Sequence, residues 1–418
     1  MTSPTEIAVD GGPEPTGTTT NWPGLVVLVG LIAALWVFGG PYVFAIVVAF
    51  VAMITLHELG HYLTAKKTGM KVTEFFLFFG PEIVSFQRGE TRYGIKTIPA
   101  GAYVRIIGMN NLDEVPDPAD EPRTYRSKSY PSKMLVITAG SAMHLLQALL
   151  LMGLFFSLYG ERDRSDWTIG QVSRLEAGAS PAREAGLELG DRIVAVDGVP
   201  VPTFEEFRQQ VSTRPGQSVA LTVERDGRSF EATTTLASVT PNGEPVGFLG
   251  VGPHYGWDPM PLPRAAVESV RVVGEQVWTT VTAIPQFFSP GRLADLGGSV
   301  LEDRGDVSVQ DREAQERPVG VVGAVRITAQ AAEVDWAGAL FMFAAINVFI
   351  GVFNLFPLLP LDGGHAAVAT YERLRSRRGR RYQVDVAKLM PITYGVVGIL
   401  GFVFLTTLYL DIWRPITL

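Results

Sequence analysis

Long uncharged apolar runs alternate in this chain with stretches too polar to enter hydrocarbon. Four runs, Tyr42–Leu63, Met134–Leu158, Ala337–Leu361 and Pro391–Leu410, are long enough to span or nearly span a bilayer core as helices. A shorter run, Leu25–Phe38, precedes Gly39-Gly40-Pro41, a tripeptide that breaks helices. It predicts an extra N-terminal helix, or one kinked helix continuing into the next. Between the second and third long runs the period changes. Arg192–Val196 and Val219–Val223 read as strands, punctuated by Asp197-Gly198 and Asp226-Gly227 turns. From Val267 the apolar residues Val270, Val273, Val277, Val281, Ile284 and Phe288 step by three or four, one face of a helix that can lie on a membrane or on a protein core. Ser289–Pro318, polar and glycine-containing, reads as a linker or mobile loop.

Charge orients these elements. The loop Tyr371–Lys388 is strongly basic, and the connector after the first long run carries Lys66, Lys67, Lys71, Arg123, Arg126, Lys128 and Lys133. Both belong in the cytoplasm by the positive-inside rule, which puts residues ~160–335 outside. Residues 1–20, rich in Thr, Pro, Gly and acidic side chains, read as a disordered tail without the basic start of a cleaved signal peptide. The net charge of −7 gives no reason to expect nucleic acid as a partner. The absence of cysteine excludes disulfides, thiolate metal sites and cysteine nucleophiles.

The chemistry concentrates where polar residues interrupt apolar runs. His57-Glu58-Leu59-Gly60-His61 is an HExxH pattern. On a helix, His57 and His61 face one way and can bind one Zn2+, with Glu58 beside them as general base. Lys66 and Lys67 mark the cytoplasmic interface by snorkelling, and His57 lies nine residues earlier, ~14 Å along a helix axis. The metal then sits below the surface in the cytoplasmic half of the membrane. A catalytic zinc needs a third protein ligand and an open position. NLFPLLPLDGGH, Asn354 to His365, offers Asp362, expected at the cytoplasmic end of the third apolar helix. Pro357 and Pro360 break regular helix there, and Gly363-Gly364 allow close backbone approach.

HELGH, the NLFPLLPLDGG run and the intervening GLELGDRIVAVDGVPV segment together resemble the site-2 protease family, peptidase family M50, in its bacterial PDZ-containing branch that cleaves anti-sigma factors. The resemblance runs from about Tyr42 to the C-terminus. It implies a multi-pass α-helical membrane protein with about four core transmembrane helices plus one extra N-terminal helix. A membrane re-entrant β-hairpin and an inserted extracytoplasmic α/β PDZ domain complete the expected fold. Domain limits are then 1–22 for the tail, 23–160 for the N-terminal membrane domain, 161–255 for the PDZ domain, 256–335 for the amphipathic helix and linker, and 336–418 for the C-terminal membrane domain. The implied ligands are His57, His61 and Asp362, with Glu58 as base. Asn347 and Asn354 are implied to hold substrate backbone or an oxyanion, with interhelical hydrogen bonding as the alternative. His365 is at best a neighbour of the ligands.

Phe78–Gly108 resembles the family's re-entrant hairpin, with turns at Gly80-Pro81 and Arg88-Gly89 and with Ala100 and Ala102 where relatives often have glycine. An edge there can take an unwound substrate as an added strand. AGSAMHLLQ, Ala139–Gln147, matches the family's AGPxxN segment with Ser141 for proline and His144 for asparagine. His144 either approaches the zinc region or hydrogen-bonds between helices, the second being favoured. Thr168–Leu236 resembles a PDZ domain, which in this family is proposed to exclude bulky substrates. The implied activity is zinc endopeptidase cleavage in or beside single-pass transmembrane segments such as those of anti-sigma factors, after an upstream site-1-type protease, in contact with lipid of the cell membrane. The competing reading is an inactive membrane scaffold whose PDZ domain recruits partners; a transporter would show a repeat, and none is apparent.

Overall fold

The structure, a computed structural model, describes residues 19–109, 113, 115, 117–173, 180–240, 244–301, 318–376 and 382–416. The expected tail lies outside them as far as residue 18. The chain forms two compact units, Met1–Gly153 with Ala266–Leu418, and Leu154–Ala265.

β1 (Thr19–Thr20) leads into α1 (Trp22–Lys67), where the Asn21 side chain accepts from the Gly24 N–H at 3.2 Å and caps the first turn. Gly40 takes φ 75° and ψ 177°, a backbone that suits glycine, and Pro41 follows it without an N–H. A straight helix of 46 residues would part its ends by ~69 Å. Both ends instead reach one hairpin. The Asn21 N–H donates to Ile83, and Lys66 pairs with Glu90, seven residues and at most ~25 Å of extended chain further on. The chain therefore folds back at Gly40 into two legs, 22–39 and 41–67, the second carrying HELGH. The first leg exposes Val26, Val29, Ile32, Val37 and Phe38, the surface of a helix that faces lipid.

The hairpin pairs β2 (Val72–Arg88) with β3 (Thr91–Ile106) around Gly89-Glu90. It starts at Val72, earlier than the sequence pattern suggests. Gly80-Pro81 is a bend inside β2 rather than a turn between strands, with Phe78 and Gly80 at φ 71° and 85°. Both strands fold on themselves, so Phe75 is paired with Tyr93 and with Val104. β1 adds an edge at Val84 and Ser85. The turn is tied down by Glu90, which meets Lys66 at 2.5 Å and Arg123 at 2.6 Å. α2 (Tyr130–Leu158) follows.

The second unit holds β4 (Glu161–Val172), α3 (Pro181–Glu184), β5 (Arg192–Val196), β6 (Val199–Pro200), α4 (Phe204–Ser212), β7 (Ser218–Arg225), β8 (Arg228–Thr235), β9 (Ala237–Val239), β10 (Val246–Phe248) and β11 (Val251–Asp258). A four-stranded sheet runs β6-β5-β7-β8; β4 pairs with β11 and β9 with β10. Alternation in β7 buries Val219, Leu221 and Val223, which pack with Trp167, Ile193, Phe207 and Leu236. Thr203 caps α4 by accepting from the Glu206 N–H, the S/T-x-x-E pattern. Asp191 is fully buried and accepts from Arg225 at 2.6 and 2.8 Å and from the Glu188 N–H at 2.9 Å. Burial alone would raise its carboxyl pKa, but the Arg225 guanidinium and the Glu188 amide hold it below the usual range.

The chain returns through α5 (Leu262–Phe287), which has the expected three-and-four period, then α6 (Pro290–Leu301), α7 (Val321–Val334), α8 (Trp336–Asn354), α9 (Asp362–Arg375) and α10 (Met390–Trp413). α6 corrects the expectation of a loop from Ser289. Leu293 and Leu296 repeat at helical spacing, Leu296 is buried, and the Ser289 carbonyl accepts from the Leu293 N–H. Of the glycines that suggested a loop, Gly297 lies beside Phe402 of α10. The third apolar run is also shorter than expected. α8 stops at Asn354, because Pro357 and Pro360 cannot continue it, and Asp362 opens a new helix rather than closing the old one. Among the described residues, four helices are long and apolar enough to cross a membrane: α1, α2, α8 and α10.

Candidate metal centre

His57 and His61 sit four residues apart on the second leg of α1, so their rings project from one face. Asp362 reaches them from the first turn of α9. The His57 and His61 Nε2 atoms lie 3.1 Å apart, and the Asp362 Oδ2 is 3.5 Å from the first and 3.3 Å from the second. A tetrahedral zinc with bonds of ~2.0–2.1 Å needs donors ~3.3–3.4 Å apart, the tetrahedron's edge. The triangle therefore has the size of one face of a zinc coordination sphere. Its chemistry agrees. The His61 Nδ1 donates to the Val136 carbonyl at 2.8 Å, which leaves the Nε2 lone pair for a metal. The Asp362 Oδ2 is buried without a hydrogen-bond donor, a costly state for a carboxylate oxygen unless a cation is there. Among the described residues, these three groups are the cluster that can hold a metal ion.

α2 forms the wall behind the histidines. At Gly140 an added Cβ would lie 2.4 Å from the His57 Cε1 and 2.4 Å from the His61 Nε2. Only a residue without a side chain fits. α9 is docked on the start of α2 by two contacts. Lys133 meets Glu372 at 3.0 Å with both side chains largely buried, and the Tyr130 hydroxyl lies 3.2 Å from the Thr370 Oγ1. The Val384 N–H donates to the other Glu372 oxygen at 3.0 Å. These contacts fix the axis on whose first turn Asp362 stands. Gly363 allows that turn to press on the backbone at Leu355, where a Cβ would come within 2.1 Å of its carbonyl oxygen.

The remaining residues singled out from sequence fall into different places. Glu58 follows His57 on α1, with the backbone of Val104 on β3 beside its carboxyl. Asn347 is fully buried, its Nδ2 donating to the Phe343 carbonyl at 2.9 Å and its Oδ1 lying 3.2 Å from the His144 Nδ1. Asn354 is the half-buried last residue of α8, outside the triangle. His365 lines a cavity of about 70 Å³ with Tyr125, Lys133 and Glu372. Sequence reasoning did not single out the Val136 carbonyl, Gly140, or the Lys133–Glu372 pair. The first two share a signal that was present: Val136, Gly140 and His144 are spaced by four, one stripe of α2.

The family model described as peptidase family M50 matches residues 45–397. Zinc metalloprotease Rip1 of Mycobacterium tuberculosis is 32% identical over 408 residues, covering 88% of this chain and 96% of that protein. A putative zinc metalloprotease of Brucella suis is 28% identical over 383 residues, covering 88% of this chain and 94% of that protein. Among solved structures, the PDZ domain of an SdrC-like protein from Listeria monocytogenes aligns with 22% of this chain and 92% of its own, at 19% identity and a TM-score of 0.18.

Proposed function

This chain belongs to peptidase family M50, the site-2 protease family, and from that premise we propose that His57, His61 and Asp362 hold its zinc while Glu58 moves the proton that peptide hydrolysis requires. The protein is an intramembrane zinc metalloprotease. The observation that carries the residue assignment is the triangle of donor atoms at 3.1, 3.3 and 3.5 Å. Zinc bound there supplies a Lewis acid that polarises a carbonyl and acidifies water. Glu58, adjacent in the helix, takes a proton from the attacking water and returns it to the leaving amine. The Val136 carbonyl keeps His61 in the tautomer that a metal needs.

Substrates are single-pass transmembrane proteins, anti-sigma factors among them, first trimmed by an upstream site-1-type protease. A substrate helix hides its carbonyls in its own hydrogen bonds and must open before it is cut. The half of β3 near Val104 takes the opened segment as an added strand, a reading supported by the Val104 backbone lying beside Glu58. That role gives the hairpin its reason to re-enter the membrane. Asn354 is the amide left to hold substrate backbone, since Asn347 is engaged by His144 and Phe343. The basic residues between 371 and 388, with Lys66, Lys67, Lys71 and Lys133, support a cell-membrane orientation with the metal in the cytoplasmic half. The unit Leu154–Ala265 then lies outside as a PDZ domain that blocks bulky substrates.

The test is metal content of the full chain in detergent after zinc supplementation. About one zinc per chain is expected, lost in His57→Ala and Asp362→Ala. Glu58→Gln should keep the zinc and lose cleavage of fluorescein-labelled casein, an unfolded polypeptide that needs no knowledge of the natural substrate. A zinc-free unaltered protein, or an active Glu58→Gln, overturns the assignment.

A further inference from the structure

His144 is 1% exposed, on a membrane-spanning helix, and the mechanism above does not use it. Two features of α8 form a seat for it. Asn347 offers its amide oxygen 3.2 Å from the His144 Nδ1. One turn further on, Gly351 leaves the space in which a Cβ would come within 2.9 Å of the His144 Cβ. The Asn347 amide has no freedom to turn over, because its Nδ2 donates to the Phe343 carbonyl at 2.9 Å. Its Oδ1 must therefore accept, and the His144 Nδ1 must carry the hydrogen. A neutral imidazole then has its lone pair on Nε2. The ring stands 4.9 Å from the His57 ring, as close as the 4.8 Å between the two HExxH rings themselves. It is also one turn along α2 from Gly140, the residue that touches both ligands. A lone pair on a ring this close to the ligands is an acceptor for a donor that enters the site.

We propose that His144 is a positioning residue of the metal centre, held by Asn347 as the Nδ1–H tautomer so that its Nε2 accepts a hydrogen bond from a donor on the open side of His57. The donor is a water or a backbone N–H of the substrate, and kinetics separate the two. This rests on the zinc reading of the triangle, and the experiment keeps the two failures apart.

The full chain in detergent is loaded with Co2+, and its visible spectrum is recorded for the unaltered protein and for His144→Phe, Asn347→Leu and Asn347→Asp. Casein cleavage by the zinc forms of the same proteins gives kcat and KM. One metal per chain is expected in all four. His144→Phe should shift the cobalt bands and lower kcat/KM about 5- to 10-fold, the value of one hydrogen bond. The loss falls on kcat for a water partner and on KM for a substrate N–H. Asn347→Leu should reproduce the defect, while Asn347→Asp, which keeps an acceptor for Nδ1–H, should rescue it. An unmoved spectrum with both kinetic constants within twofold in His144→Phe overturns the proposal. Should that variant not fold, equal behaviour of Asn347→Leu and Asn347→Asp overturns it. No metal in the unaltered protein overturns the zinc assignment instead.

Discussion

Gly140→Ala adds one methyl group to α2 at the place where the metal ligands converge. Its Cβ would stand 2.4 Å from the His57 Cε1, 2.4 Å from the His61 Nε2 and 2.6 Å from the His57 Nε2. Ordinary contacts need ~3.5 Å, so about 1 Å of movement must come from α2 or from both imidazoles. Overpacking of this kind costs about 1–3 kcal/mol. If the ligands take up the strain, zinc affinity falls by that amount, about 5- to 150-fold at 1.4 kcal/mol per decade. Stability of the helix itself should not fall in step, because alanine favours a helix over glycine by about 1 kcal/mol. The two quantities therefore part company, and that separation identifies the mechanism. Gly398→Ala on α10 is the control, since nothing lies within 4 Å of its added Cβ. The assay is competition for Zn2+ against a chromogenic chelator, beside thermal unfolding of the metal-free proteins. Gly140→Ala with unaltered zinc affinity would refute the placement of α2 against the histidines.

Three further outcomes are expected. Glu372→Gln strands the buried Lys133 ammonium, costs about 3 kcal/mol at the α2–α9 contact and lowers zinc occupancy although residue 372 is ten positions from Asp362; unchanged occupancy would show that α9 is held by other means. Asp411 on α10 is 2% exposed and caps α7, accepting from the Gly323 N–H at 2.7 Å, so Asp411→Ala should cost about 1–2 kcal/mol and speed hydrogen exchange at the first α7 amides. In the Leu154–Ala265 unit, Asp191 has a depressed pKa, so its stabilisation is full above the unfolded carboxyl value of ~3.9 and fades as pH falls through the lower folded value. Arg225→Met should therefore destabilise this unit at pH 7 and progressively less toward pH 2, read from hydrogen exchange at Leu221 and Val223; a gap independent of pH would refute the pairing.

The parts of this fold that were legible in sequence are those set by local period. Apolar runs mark the helices of the membrane unit, Asp-Gly turns mark the strands of the other unit, and the i, i+4 histidines mark one face of α1. Asp362 was legible as a donor but not as the start of a helix. Proline announces that α8 must stop, and says nothing about whether the chain resumes two residues or twenty later. α6 was missed because Gly297 and Gly298 lower its helix propensity, while the burial of Leu296 that offsets them is a tertiary fact. The doubled hairpin register was invisible for a similar reason. Phe75 looks like one residue of an alternating strand, and only the bend at Phe78 and Gly80 gives it partners on two sides. Gly40 is the opposite case, a break visible in sequence whose angle only the backbone could supply.

α2 shows how a membrane enzyme can place polar chemistry on a helix whose composition is almost wholly apolar. Its functional stripe uses main chain and absence more than side chains. At Val136 a carbonyl, already part of the helix, spends its second lone pair on His61. At Gly140 a missing side chain makes the space for both imidazoles. Neither device places a polar side chain in hydrocarbon, so neither carries the penalty that marks intramembrane charges. His144, one turn further along, is the exception, and α8 answers it with Asn347 and Gly351 spaced by the same four residues. Two stripes of equal period on facing helices fix register as well as contact. A shift of one turn would bring Gly351 opposite a different residue and leave the His144 imidazole without its acceptor. The polar pair thus specifies how α2 and α8 meet. Because α2 also carries the wall of the metal site, that register is inherited by His57 and His61.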